Sequence, residues 1–130
     1  MKFSLFTPEK TLIKNKDLKE LIVPSVKGYL GILPGHAPLI SLLSAGVLKY
    51  LPKDSDNWQS IALGWGYLEV HSGGVRVLAE SAETKQTLDR VKIQQDLKQV
   101  LAELERIDLE PKEREKFNKE KLWLEGQLEL

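Results

Sequence analysis

Gly28-Tyr29-Leu30-Gly31-Ile32-Leu33-Pro34-Gly35-His36-Ala37-Pro38 packs three glycines and two prolines into eleven residues, with apolar residues between them. Glycine admits positive φ and close backbone approach, while proline fixes φ and removes a donor. The spacing predicts a short strand over Tyr29–Leu33, a turn at Pro34-Gly35, and a second strand from Pro38 to Leu43. A loop this rigid is either a docking feature or simply the corner of a β-sandwich.

Outward from this stretch, short strand patterns fill the first part of the chain. Phe3–Phe6 alternates and stops at Thr7-Pro8, Thr11–Lys14 is brief, and Leu18–Val23 closes at Pro24-Ser25. Val47–Leu51 ends at Pro52, and Gln59–Leu63 runs into Gly64-Trp65-Gly66. Tyr67–Val70 then runs into Ser72-Gly73-Gly74, and Val75, Val77 and Ala79 form the last alternation. Short strands with closely spaced turn signals predict an antiparallel sandwich or barrel.

Composition changes near residue 84. Residues 1–83 hold eight of the nine glycines and five of the six prolines, whereas residues 84–130 hold 21 of the 38 charged residues. Leu97, Val100, Leu101, Leu104 and Ile107 recur at helical steps, with Thr87 as the expected N-cap. Pro111 suits the first turn of a second helix, on which Phe117, Leu124 and Leu128 share a face. Glu110–Arg114 and Glu115–Lys119 stand at i,i+4 with the acid first. The expected fold class is therefore α+β: a β-sandwich domain over residues 1–83, then an antiparallel two-helix hairpin over 84–130. The hairpin's one narrow seam requires it to lie on the sandwich or on a partner.

Composition excludes several classes of chemistry. There is no cysteine, hence no disulfide, thiolate metal site or thiol nucleophile. The only imidazoles, His36 and His71, lack companions at metal-ligand spacing, so no metal site is expected. Gly64-Trp65-Gly66 lacks the later glycine of a dinucleotide fingerprint, and no phosphate-loop lysine or nucleophile elbow is present, so no catalytic residue is assigned. Zero formal net charge gives no general attraction to nucleic acid, and no apolar run is long enough to span a membrane. The alternation already under way at Lys2–Phe6 carries no expectation of a cleaved leader. A binding or coupling module fits better than an enzyme.

Gly31-Ile32-Leu33-Pro34-Gly35-His36-Ala37-Pro38-Leu39 resembles the signature of the epsilon subunit of F-type ATP synthases. Gly66-Tyr67-Leu68-Glu69-Val70 with Val75-Arg76-Val77-Leu78-Ala79-Glu80, and the opening Phe3-Ser4-Leu5-Phe6-Thr7-Pro8-Glu9, resemble further segments of the same family. The resemblance implies about ten sandwich strands and two C-terminal helices. It also implies a non-catalytic rotor subunit, bound to gamma and to the c-ring, that couples proton-driven rotation to ATP synthesis and restrains hydrolysis. Its place would be peripheral, on the cytoplasmic face of a bacterial inner membrane, held there only through the complex.

On that reading Tyr29, Leu30 and His36 form the loop facing the c-ring, with Tyr29 where members often carry an acid. Leu42, Leu43, Trp65, Tyr67 and Leu68 are the gamma-contact candidates. Leu42 and Leu43 are consecutive and must face opposite sides of a strand. Lys112, Lys116 and Lys119 form a stripe on the second helix that could meet acidic groups of a catalytic subunit. The alternative is a nucleotide-sensing module with ATP as regulatory ligand at the sandwich–hairpin junction. Its residues would be Glu83, Asp89 and Lys92, with Leu88-Asp89-Arg90-Val91-Lys92-Ile93 standing where some members carry a helix-start ATP pattern ending in Arg-Ala. Lysine in place of that arginine removes a fork-shaped phosphate donor, and no other cofactor is implied.

Overall fold

The computed structural model describes all 130 residues. Seven strands come first: β1 Lys2–Phe6, β2 Thr11–Ser25, β3 Gly28–Ile32, β4 Leu39–Leu43, β5 Gly46–Pro52, β6 Gln59–His71 and β7 Gly74–Glu83. Two helices follow, α1 Arg90–Leu104 and α2 Pro111–Leu128. The sandwich and the helical hairpin thus stand as expected from the sequence, with seven strands in place of about ten.

Long strands that bend explain the lower count. Thr11–Lys14 and Leu18–Val23 are one strand, β2, and Gln59–Leu63 and Tyr67–Val70 are one strand, β6. The bends lie at Asn15 (φ 50°) and Trp65 (φ 47°), the two non-glycine residues with positive φ. At the first bend the Asn15 N–H donates to Ser4 Oγ at 3.0 Å, which also satisfies a serine buried in β1. At the second, inward positions change from Ile61 and Leu63 to Leu68 and Val70, so β6 serves both layers.

One half of β6 pairs with β5 (Gly46↔Leu63, Leu48↔Ile61) and the other with β4 (Leu39↔Val70, Leu43↔Gly66), while β7 runs antiparallel along both. β1 lies parallel to β7 and antiparallel to β2, which also pairs with β3 and β5. Sixteen buried side chains, including Phe3, Leu21, Ile32, Leu48, Leu63 and Val77, fill the space between the layers.

The hairpin has its own small seam: Ile93, Val100 and Leu124 are buried, with Phe117 and Leu128 packed against them. Asp89 caps α1 by accepting from the Lys92 N–H at 3.2 Å; Thr87, the expected cap, donates to the Glu83 carboxylate instead. Neither expected i,i+4 pair forms. Arg114 donates to the carbonyls of Leu104 (3.1 Å) and Arg106 (3.3 Å), closing the end of α1 against the start of α2. Arg106 forks between Glu103 (2.8 Å) and Asp108 (3.1 Å), and its hydrogen bonds hold the Asp108 carboxyl below the usual carboxylate range. At the other end Arg90 donates to the Leu128 carbonyl at 3.1 Å.

Candidate functional site

The two outer faces of the sandwich differ. On β4, β6 and β7 the register places Leu42 beside Tyr67 and Tyr67 beside Leu78, and β1 adds Phe6 beside Leu78. These side chains alternate away from the core and form one apolar row across four strands. Leu42 is 53%, Tyr67 55% and Leu78 43% exposed. The row floors an open groove of about 450 Å³, bounded by Val26, Trp65, Glu80 and Lys119. In the neighbouring row, Arg76 pairs with Glu69 at 2.9 Å beside an exposed Ile40.

Of the five gamma-contact candidates, Leu42, Trp65 and Tyr67 reach the surface in this groove. Leu43 and Leu68 do not: they are 2% and 0% exposed and belong to the core, because each alternates inward next to an outward neighbour. Sequence reasoning missed Phe6, Val26 and Leu78 as parts of this face. The outward position of Leu78 between inward Val77 and Ala79 was the available signal.

The other outer face, along β5 and β6, is covered by α2, whose buried residues are Leu124, Gly126 and Gln127. A Cβ on Gly126 would lie 3.6 Å from the Gly46 Cα, so helix and strand meet backbone to backbone. The Trp123 ring lies on Gly64, where a Cβ would be 3.1 Å from it. Lys112, Lys116, Lys119, Trp123 and Gly126 are spaced as one helical stripe, so the lysine row continues the docking face. Lys112 and Lys116 are exposed, and the Lys119 ammonium sits 4.8 Å from the centre of the Trp65 ring.

The three c-ring candidates do not cluster. Tyr29 faces outward on β3, and its hydroxyl accepts from the Val47 N–H at 3.4 Å beside the hairpin. Leu30 packs against the core. His36 lies in the Leu33–His36 turn, held by its own N–H to the Leu33 carbonyl at 3.1 Å and by Nδ1 2.7 Å from the Ala37 carbonyl. That turn borders the His71–Gly74 turn, so both histidines mark one end of the sandwich. His71 Nδ1 accepts from the Gly73 N–H at 3.0 Å and braces its turn.

The nucleotide candidates are used locally. The Glu83 carboxylate accepts from the Thr87 hydroxyl and Asp89 caps α1, which leaves the exposed Lys92 ammonium as the cation of the set. No group of three or more His, Cys, Asp and Glu converges to hold a metal ion. No helix is long and apolar enough to cross a membrane.

The family model for the β-sandwich domain of the ATP synthase delta/epsilon chain matches residues 1–85. The ATP synthase epsilon chain of Prochlorococcus marinus is 36% identical over 104 residues, which cover 80% of this chain and 75% of that protein. The epsilon chain of Bdellovibrio bacteriovorus is 40% identical over 89 residues; the match covers 68% of this chain and spans 64% of the length of that relative. Among solved structures, a chain of the Euglena gracilis mitochondrial ATP synthase shares the fold with a TM-score of 0.85 at 18% identity, over 99% of this chain and 79% of that one. The sandwich match reaches past the last strand, and the Prochlorococcus alignment is longer than the sandwich. The chain belongs to the ATP synthase epsilon-chain family.

Proposed function

We propose that this chain is a central-stalk rotor subunit of an F-type ATP synthase, non-catalytic itself. It couples proton-driven rotation of the c-ring to ATP synthesis and restrains hydrolysis through its hairpin. The observation that carries this reading is the in-register apolar row Phe6–Leu78–Tyr67–Leu42 on the uncovered face. A sandwich needs only its inner faces buried, so an open apolar row of this extent calls for a partner. The gamma subunit is assigned to that groove. The turn carrying His36 is assigned to the c-ring at one end of the sandwich. Tyr29, beside the hairpin, drops out of that contact.

Family membership supports the reading. The chain then works in two units, residues 1–83 holding gamma and c-ring and residues 84–130 acting as a movable brake. Membrane association comes only through the complex, on the cytoplasmic side in a bacterium. The local use of Glu83 and Asp89 weighs against the nucleotide-sensing alternative, because a triphosphate calls for several converging donors.

The test is rebinding to ATP synthase depleted of this subunit. Leu42→Asp puts an unpaired carboxylate into the desolvated face and should weaken rebinding about tenfold or more. Normal rebinding of that variant would remove the groove as the gamma site.

A further inference from the structure

We infer that Lys119 and Trp65 form a latch that links hairpin docking to occupancy of the apolar groove, an inference that rests on the assignment of gamma to that groove. Two observations converge. The Lys119 ammonium lies 4.8 Å from the Trp65 ring centre, within the range of a cation–π contact. Both residues also border the groove, so α2 supplies one of its walls. The groove is complete only while the hairpin is docked.

The geometry of Trp65 makes this wall specific. Its positive φ, between Gly64 and Gly66, stands where β6 passes from one layer to the other. Gly64 takes the Trp123 ring of α2, and Gly66, paired with Leu43 of β4, lies where a Cβ would run into the Leu78 carbonyl of β7. Trp65 therefore stands at the boundary between the covered and open faces, and Lys119 reaches it from the helix. Trp65 and Lys119 close the groove on the hairpin side.

The occupant fitting this outline is a segment of gamma with apolar side chains against Leu42, Tyr67 and Leu78 and a carboxylate toward Lys119. Such a segment binds the docked form better than the undocked one. By thermodynamic reciprocity it holds the hairpin down, and loss of the hairpin weakens its grip. Lys119 has one ammonium. Seated on Trp65 it is withheld from any acidic group on a catalytic subunit, and released it loses its place in the groove wall.

The experiment measures amide hydrogen exchange at Leu122–Gln127 in the full chain, free and rebound to ATP synthase depleted of this subunit. In the free chain Lys119→Met should speed exchange about two- to fivefold, the worth of an exposed cation–π contact, while Lys119→Arg keeps the wild-type rate. Rebinding should slow exchange in the wild type, and less so in Lys119→Met. Unchanged exchange in free Lys119→Met overturns the latch. Wild-type exchange that does not slow on rebinding overturns the linkage. Leu42→Asp separates the two readings. It should leave free-chain exchange unaltered and weaken rebinding; if it rebinds normally, the groove assignment itself falls.

Discussion

Sixteen buried side chains close the sandwich, while three close the hairpin. The sandwich is cross-braced by strands that bend from one layer into the other. The hairpin is pinned mainly at its ends, by Arg90 on the Leu128 carbonyl and Arg114 on those of Leu104 and Arg106. Between the two regions lies a docking surface built on glycine: Gly46 against Gly126, and Gly64 under Trp123. Glycine contacts allow close approach but bury little apolar area, and buried area scales the stabilisation. On the proposed function the hairpin is thus the part that should leave while the sandwich stays folded, with two dockings differing by only a few kcal/mol.

Truncating one buried side chain in each region should separate the two regions most strongly. Leu63→Ala, at a fully buried site in β6, should cost about 2–5 kcal/mol and lower the melting temperature of the whole sandwich. Val100→Ala, in the hairpin seam, should cost about 1–2 kcal/mol and raise hydrogen exchange in α1 and α2 while strand amides keep their protection. Loss of strand protection in Val100→Ala would mean that the two regions are one cooperative unit.

Gly126→Leu sharpens the docking contact. A Cβ alone would make ordinary contact with Gly46, whose N, Cα and O lie 3.6–3.7 Å away, but the branched end of leucine has no room beyond it. The variant should release the hairpin without changing the unfolding temperature of the strands, seen as faster exchange confined to α2. Gly126→Ala should stay docked.

The smallest effect belongs to a surface pair of the sandwich. Lys2 donates to the Asp17 carboxylate at 2.9 Å, and this hydrogen bond holds the carboxyl below its usual range. A depressed folded pKa gives stability that is present above the unfolded value of about 4 and lost as pH falls through the folded one. Asp17→Asn should therefore melt slightly lower than wild type at neutral pH. The two melting curves should converge in acid below that range.

Much of this architecture is legible in the residues. Proline and glycine punctuation marked the strand ends because it acts locally, and the charged, breaker-poor tail read as helices for the same reason. The bends were not legible. Asn15 and Trp65 adopt positive φ only because long strands must pass between layers, which is a tertiary demand. The Gly-Trp-Gly triplet was the one local sign, since glycine inside a strand marks a bulge or close approach. The surface face was half legible. Alternation required one of Leu42 and Leu43 to point outward, but only pairing across β1, β7, β6 and β4 lined up Phe6, Leu78, Tyr67 and Leu42. Asp89 displaced Thr87 as the cap because Thr87 is drawn back to Glu83. Lys119 read as one of a stripe meeting a catalytic subunit, and its seat on Trp65 depends on where α2 docks.

On the proposed function the sandwich carries assembly and the hairpin carries restraint. Ending the chain after Glu83 and assembling the enzyme with the shortened subunit tests this division most directly, with ATP hydrolysis as the readout. The shortened chain should still assemble with gamma and the c-ring, its grip on gamma weakened only by loss of the Lys119 wall, and hydrolysis should rise. Failure to assemble, or hydrolysis equal to that of the full-length enzyme, would contradict it.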